Sequence, residues 1–370
     1  GVVPSCCGAV VAGGVVTELA EHPGAGDDSE AGQAAEDVSV RVLAEMGLED
    51  PTAADTSDAN FEIRPDIDIL DPVGGETLRV GGSYFWGDAF LWRFGTEALL
   101  IGCAVLSINL LIGYGGLVSL GHGAVFGFAA YATAVSSQYW GASLPLMLLV
   151  GIVAGTLLSI LMALISLRSS ELFFMVATLV AGQLIWEVAF RWRDVTGGAD
   201  GLRGFPRLSL GDLPLSAPYT LMILALVLAV ICWLLLRSFS RAPIGLALTG
   251  LRDQPLRMAA LGYQAWRIRL YTFMIAGAVA GAAGGLYPFA NQYVSPQQVH
   301  WSFSATLIIM GVIGGIRTWR GAFIGATFYL FAQTYLSSYT DRWQLLVGLI
   351  FVLTVLFMPN GLAERRKRSS

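Results

Sequence analysis

Between Ala98 and Leu167 the sequence contains no Asp, Glu, Lys or Arg. A bilayer core of about 30 Å takes about 20 apolar residues per helix, so this stretch fits about three crossings. A buried soluble core would not exclude charge for so long. Charge is scarce throughout, 13% of 370 residues, against about a quarter in an average soluble domain. An ordinary water-soluble enzyme is thereby excluded. Catalytic and metal-binding signals are missing as well. There is no Gly-Lys-Ser/Thr phosphate loop, no zinc spacing and no nucleophile elbow, and His122 and His300 are too isolated for a triad. Cys6-Cys7 resembles neither a metal ligand set nor a disulfide framework, while Cys103 and Cys232 fall inside apolar segments as packing residues. We therefore expect no enzymatic activity, no bound metal or cofactor and no nucleic-acid partner.

The sequence reads as all-α, a polytopic transmembrane bundle of nine helices behind an acidic, largely irregular N-terminal segment. Apolar segments lie near 95–113, 118–138, 143–167, 172–190, 218–236, 270–290, 302–316, 322–338 and 343–358. The 302–316 segment is short enough to be tilted or partly re-entrant. Residues 1–94 form the acidic segment, 95–363 the membrane domain and 364–370 a basic tail. The formal net charge of −5 hides this division. Residues 1–80 hold 17 acids against Arg41, Arg64 and Arg79, a net of −14, and the remainder nets +9. Few aromatics and many Asp, Glu, Ala and Gly residues are the composition of poorly ordered chain. Within this segment Val38–Gly47 fits a short amphipathic helix, and Phe61–Leu70 alternates as a strand or strap. Apolar residues 1–16 have two readings: the end of a tenth helix, or a frayed Gly-rich terminus.

Orientation follows from the arginines, because cytoplasmic loops collect positive charge. The loop Arg237–Arg269 carries six Arg and one Asp, and the turn Arg317–Arg320 and the tail Arg365–Arg368 are also basic. In a nine-helix count all three share one face, assigned to the cytoplasm, with the acidic segment outside. Loop 191–217, with four Arg against three Asp, falls outside and is the exception.

Small residues recur at four-residue spacing: Gly123 and Gly127; Gly277, Gly281 and Gly285; Gly311 and Gly315; Gly321 and Gly325. Helices in lipid attract one another by close backbone contact at such positions. These glycines, with Gly121 and His122, are the candidates for helix packing or for lining a path. Residues 123–131 and 321–329 match at Gly, Ala, Gly and Tyr, each after a Gly-Gly turn, as an internal repeat would. Only Glu97, Glu171 and Glu187 approach the membrane interior, each at or close to a predicted helix end. A coupled secondary transporter or proton pump would be expected to keep deeper carboxylates, so energy for transport is expected from a partner. The place for a partner is the large basic loop. From Pro255 the chain fits two helical turns stopped by Gly262. Leu256, Met258, Ala259, Ala260 and Leu261 offer an apolar surface, and Arg252, Asp253 and Arg257 offer polar handles.

Four stretches resemble the permease subunits of branched-chain amino-acid ABC importers of bacteria and archaea. They are Gly113–Ala124, Thr196–Leu202, Leu251–Tyr263 and Trp343–Leu362, in family order and spacing. The resemblance implies a second homologous permease, two ATP-hydrolysing subunits that use ATP and Mg, and an external substrate-binding protein. It implies a multi-pass protein of the prokaryotic plasma membrane and makes residues 248–263 the ATPase-coupling loop. Thr196, Gly197, Gly198, Asp200 and Gly201 then form an external loop, with Asp200 able to cap the following turn. Leucine, isoleucine or valine is the implied cargo. Urea, short amides or another amino acid stay open as cargo, and so, from another class, does an ion-coupled secondary transporter. The long acidic segment departs from the family, which usually opens with a hydrophobic helix.

Overall fold

The computed structural model describes residues 67–70, 77–80, 88–168, 171–210, 213–215, 217–339, 342–357 and 361. The readings of residues 1–16 and 38–47 and of the basic tail lie outside the described residues. At Phe61–Leu70 the described part, Ile67–Leu70 (β1), is a strand paired with Thr77–Val80 (β2).

Each of the nine apolar segments is helical. They are α1 (Asp88–Asn109), α2 (His122–Trp140), α3 (Leu144–Ser166), α4 (Glu171–Arg191), α6 (Pro218–Arg241), α9 (Ala265–Asn291), α10 (Trp301–Gly314), α11 (Trp319–Ser337) and α12 (Trp343–Phe357). Short helices α5 (Arg193–Thr196), α7 (Pro243–Asp253) and α8 (Pro255–Ala260) lie in the connections. Proline sits at the N-terminal turn of α3, α6, α7 and α8, where its missing N–H has no intrahelical partner to lose.

Not all nine are crossings by themselves. Among the described residues five helices are long and apolar enough to cross a bilayer: Phe90–Tyr114, Leu144–Ser166, Phe173–Arg191, Pro218–Arg241 and Ala265–Asn291. A sixth crossing results if α10 and α11, bent by 116° at their junction, count as one broken span. At 1.5 Å per residue the 14-residue α10 reaches only about 21 Å. The suspicion of a partly re-entrant 302–316 segment rested on this shortness. Helix α2 is a different case. It carries His122, Thr133, Ser136, Ser137 and Gln138, yet most of it is buried, packed by α3, α4, α9 and α10. A helix shielded by protein on most sides need not be apolar.

The spans differ in enclosure. In α1 and α9, 78% of the apolar window is buried, against 33%, 22% and 28% in α3, α4 and α6. Helices α1, α2 and α9 therefore form the centre, and α3, α4 and α6 expose leucine, isoleucine, valine and phenylalanine outward.

The tightest seam joins α3 to α9. A Cβ on Gly155 would sit 2.6 Å from the Gly277 carbonyl oxygen, and one on Gly151 would sit 2.6 Å from the Gly281 oxygen. Ser159 donates to the Phe273 carbonyl at 2.7 Å. The sequence pattern marked Gly277, Gly281 and Gly285 but missed their partners Gly151 and Gly155, which show the same four-residue spacing inside α3. With no hydrophobic gain for helices meeting in lipid, this backbone contact supplies the attraction. Gly281→Leu is accordingly expected to destabilise the detergent-purified protein by about 1–3 kcal/mol, as overpacking does. Gly348, with nothing within 4 Å of an added Cβ, should accept alanine within about 0.5 kcal/mol. Thermal unfolding of both variants checks the contrast.

Candidate translocation core and coupling loop

The glycine pairs of the two matching segments have a shared task. On α2, a Cβ at Gly123 would lie 2.7 Å from Ser304 Oγ and one at Gly127 would lie 2.7 Å from the Gln298 carbonyl oxygen. On α11, Gly321 and Gly325 abut the backbone of Gly314 and Met310. Both segments thus grip α10, one near its beginning and one at its end. Gly311, on the face of α10 toward α1, meets the Asn109 amide, and Gly121 abuts the Thr178 carbonyl of α4. Gly315, at φ +107°, makes the corner between α10 and α11.

Polar groups collect where α1, α2 and α10 meet. His122 Nε2 and Ser107 Oγ are 2.7 Å apart, and the Gly123 N–H donates to Ser304 Oγ at 2.8 Å. Asn109, His122, Ser107 and Ser304 are all buried. Among the described residues neither amide atom of Asn109, nor His122 Nδ1, finds a hydrogen-bond partner. Directly after Asn109 the α1 helix widens into a π-turn, Leu110–Tyr114, a distortion that often sits at functional sites. His122 is thus buried, with one ring nitrogen hydrogen-bonded to Ser107.

Helix α9 does not lead straight into α10. It ends at Gln292 in the left-handed conformation (φ 52°), and residues 293–300 run as a short strand, Tyr293–Val294 (β4), and a 3-10 turn, Pro296–Gln298. Val294, Ser295 and Val299 are buried. Buried irregular backbone survives only where other groups satisfy it. Leu202–Arg203 (β3) pairs with β4, and Ser295 and Gln298 close a reciprocal capping box. The expected external loop is what supplies β3. Thr196 Oγ1 donates to the Ala189 carbonyl at 2.6 Å and accepts from the Gly198 N–H. Gly197 and Gly201 take φ +73°. The Tyr293 hydroxyl donates to the Asp200 carbonyl at 3.2 Å, and Arg203 lies 4.5 Å over the Tyr293 ring. Asp200 ends the 3-10 turn Gly198–Asp200, so this loop fastens the broken segment through its backbone and not through a carboxylate cap.

Helix α1 begins at Asp88 and its candidate span at Phe90, so Glu97 lies within the helix rather than at its end. Its Oε1 accepts from the Tyr287 hydroxyl of α9 at 3.3 Å. Glu187 stays on the exposed face of α4, paired with Arg191.

At the opposite end of the bundle, α7 and α8 connect α6 to α9. The sequence reading missed α7, whose Ala247, Leu248 and Leu251 form a small core of their own with Ile268 of α9. Arg252 is turned inward: its guanidinium donates to the Gly113 carbonyl in the π-turn, and its methylenes cover Gly116. Tyr114 in turn stacks on Trp319, ring centroids 4.7 Å apart. The loop holding Arg252 and the turn after α10 therefore gather at one end, in keeping with the charge reading. Asp253 approaches Arg252 at 4.0 Å with both partly exposed. Pro255 opens α8, which has no buried residue; Leu256 is 86% exposed and Leu261 67%. Arg257 bonds Gln254, Met258 leans on Gly250, Ala259 and Ala260 are exposed, and Gly262 stops the helix at φ +83°.

Residues 91–356 match the family model described as "Branched-chain amino acid transport system / permease component". The chain belongs to this family. Among curated relatives, the "High-affinity branched-chain amino acid transport system permease protein LivM" of Salmonella typhimurium and that of Escherichia coli are each 26% identical over 284 residues, 70% of this chain and 66% of theirs. The chain thus spans just under two thirds of these relatives. A "Probable branched-chain amino acid transport permease protein LivH" of Methanocaldococcus jannaschii is 25% identical over 60% of this chain and 73% of its own length. No solved structure matches the chain. Membership makes this a multi-pass membrane permease, in line with its apolar helices, and not a member of a catalytic family.

The permease core rests on its buried hydrogen bonds. Ser304→Val removes the acceptor for the Gly123 N–H and should cost about 0.6–2 kcal/mol, the range for side-chain hydrogen bonds between membrane helices. Thermal unfolding of the purified chain measures it, with exposed Ser302→Ala as the control.

Proposed function

We propose that this permease forms the translocation path of an ATP-driven importer of branched-chain amino acids. Its partners in this reading are a second homologous permease, two ATP-binding subunits and an external binding protein. ATP and Mg are used by the ATP-binding subunits, and this chain binds no cofactor. The C-terminus and the α7–α8 loop are cytoplasmic, and the acidic segment is external.

The observation that carries the reading is α8. A six-residue helix that presents Leu256 almost fully to solvent buries nothing of its own chain. Yet it stands on a rigid base: α7 packs on α9, and Arg252 reaches Gly113 in the π-turn of α1. A push on α8 is therefore delivered to α6, α9 and α1, two of which are the central helices. When the ATP-binding subunits close, the loop moves with them, α1 and α9 tilt, and the α10 grips change partners. The path then opens alternately to the two sides. The names of the relatives support branched-chain amino acids as cargo.

Three measurements test this. Vesicles holding the complete complex should take up labelled leucine with ATP inside; uptake driven by an ion gradient and indifferent to ATP overturns the mechanism. Leu256→Asp forfeits about 1.5–3 kcal/mol of apolar burial, so the ATP-binding subunits should bind roughly 10–100-fold more weakly; Ala260→Glu and Gly262→Pro should also abolish uptake. Arg252→Ala leaves the docking surface intact, so the subunits should bind normally while uptake falls. Full uptake in all of these variants removes the coupling assignment.

A further inference from the structure

Glu97 has no part in the coupling path, and its setting is unusual. It is the acidic side chain held between α1 and α9, the two most enclosed spans. An ionisable group held between packed transmembrane helices is costly to keep and normally marks a pathway. Glu97 accepts a hydrogen bond from a tyrosine rather than pairing with an arginine. Its second carboxylate oxygen takes no hydrogen bond from the described residues. Beside it stands an apolar wall. Phe126 meets the Tyr287 ring edge-on at 5.3 Å, and its other neighbour is Phe303, at 5.5 Å, in the first turn of α10.

We propose that Glu97 and Tyr287 bind the α-ammonium group of the transported amino acid, with Phe126 and Phe303 against its apolar side chain. The inference rests on the permease reading and names which end of the substrate is recognised and where. A primary ammonium carries three N–H donors and no acceptor. The carboxylate supplies charge and acceptors, and the phenol oxygen supplies a further one. Among the described residues no group of three or more His, Cys, Asp or Glu is placed to hold a metal ion, and one carboxylate is a poor site for Ca²⁺ or Mg²⁺, which need six or more oxygens. The site also lies against parts that move if α10 is released, since Phe126 is on α2, next to the Gly123–Gly127 grip. Opening the grip would admit the substrate between Phe126 and Phe303.

The test compares Glu97→Gln with Glu97→Met in the complete complex, using labelled leucine and its binding protein. Glutamine keeps an oxygen to accept from Tyr287, so a structural role predicts normal uptake for Glu97→Gln and a defect only for Glu97→Met. Ammonium binding predicts that both lose leucine uptake by ~10-fold or more, the worth of a charge-assisted hydrogen bond. Glu97→Asp should retain a measurable share. Unchanged thermal unfolding and unchanged stimulation of ATP hydrolysis by the loaded binding protein separate lost binding from lost folding or coupling. Leucine uptake by Glu97→Gln within about twofold of the parent overturns the inference and leaves the permease reading standing. A parent complex that transports no leucine in this assay overturns both.

Discussion

A bilayer offers no water to an exposed N–H or C=O, so every backbone polar group at membrane depth must be satisfied by the protein itself. The helices meet this demand along their length. What distinguishes this chain is how it meets it where helix stops. Residues 293–300 leave the helix, and yet Val294, Ser295, Pro296 and Val299 stay buried, because β3 lends a strand edge, Ser295 and Gln298 cap each other, and the Tyr293 hydroxyl closes on the Asp200 carbonyl. At the other end the π-turn after Asn109 has the Gly113 carbonyl taken up by Arg252. Both breaks touch the central helices. The permitted departures from helix therefore fall where a transporter has use for movement.

Close approach is the second constraint. Glycine pairs set α3 on α9 with backbones in contact, and glycine pairs on α2 and α11 hold the two ends of α10. The first seam is long, antiparallel and reinforced by Ser159, which suits a fixed frame. The α10 grips are short and involve a single hydrogen bond from the Gly123 N–H to Ser304. Strong and weak seams divide the bundle into a part that holds and a part that can shift.

The helical segments were readable in the sequence because apolar runs and prolines are local signals. Gly262 as a helix stop, the surface of Leu256 and Leu261, and the shortness of α10 were legible for the same reason. Partners across space were not. Nothing local in Gly151 and Gly155 says that they face Gly277 and Gly281. Arg252 reads as a polar handle in the loop, whereas its guanidinium is spent on Gly113, 139 residues away in the chain. The α7 helix was missed because its apolar face is short, Ala247, Leu248 and Leu251, too little to stand out in sequence.

The polarity of α2 bears on how the chain is made. Its His122, Thr133 and Ser137 are tolerable in the finished bundle because neighbouring helices, α3, α9 and α10 among them, bury them. During synthesis α9 and α10 do not yet exist when α2 leaves the ribosome. Alone, the helix has little drive to partition into lipid, so its retention falls to the strongly apolar α1 before it and α3 after it. The membrane-inserting unit is thus a three-helix hairpin rather than a single helix, and the centre of the permease depends on the order in which its pieces arrive.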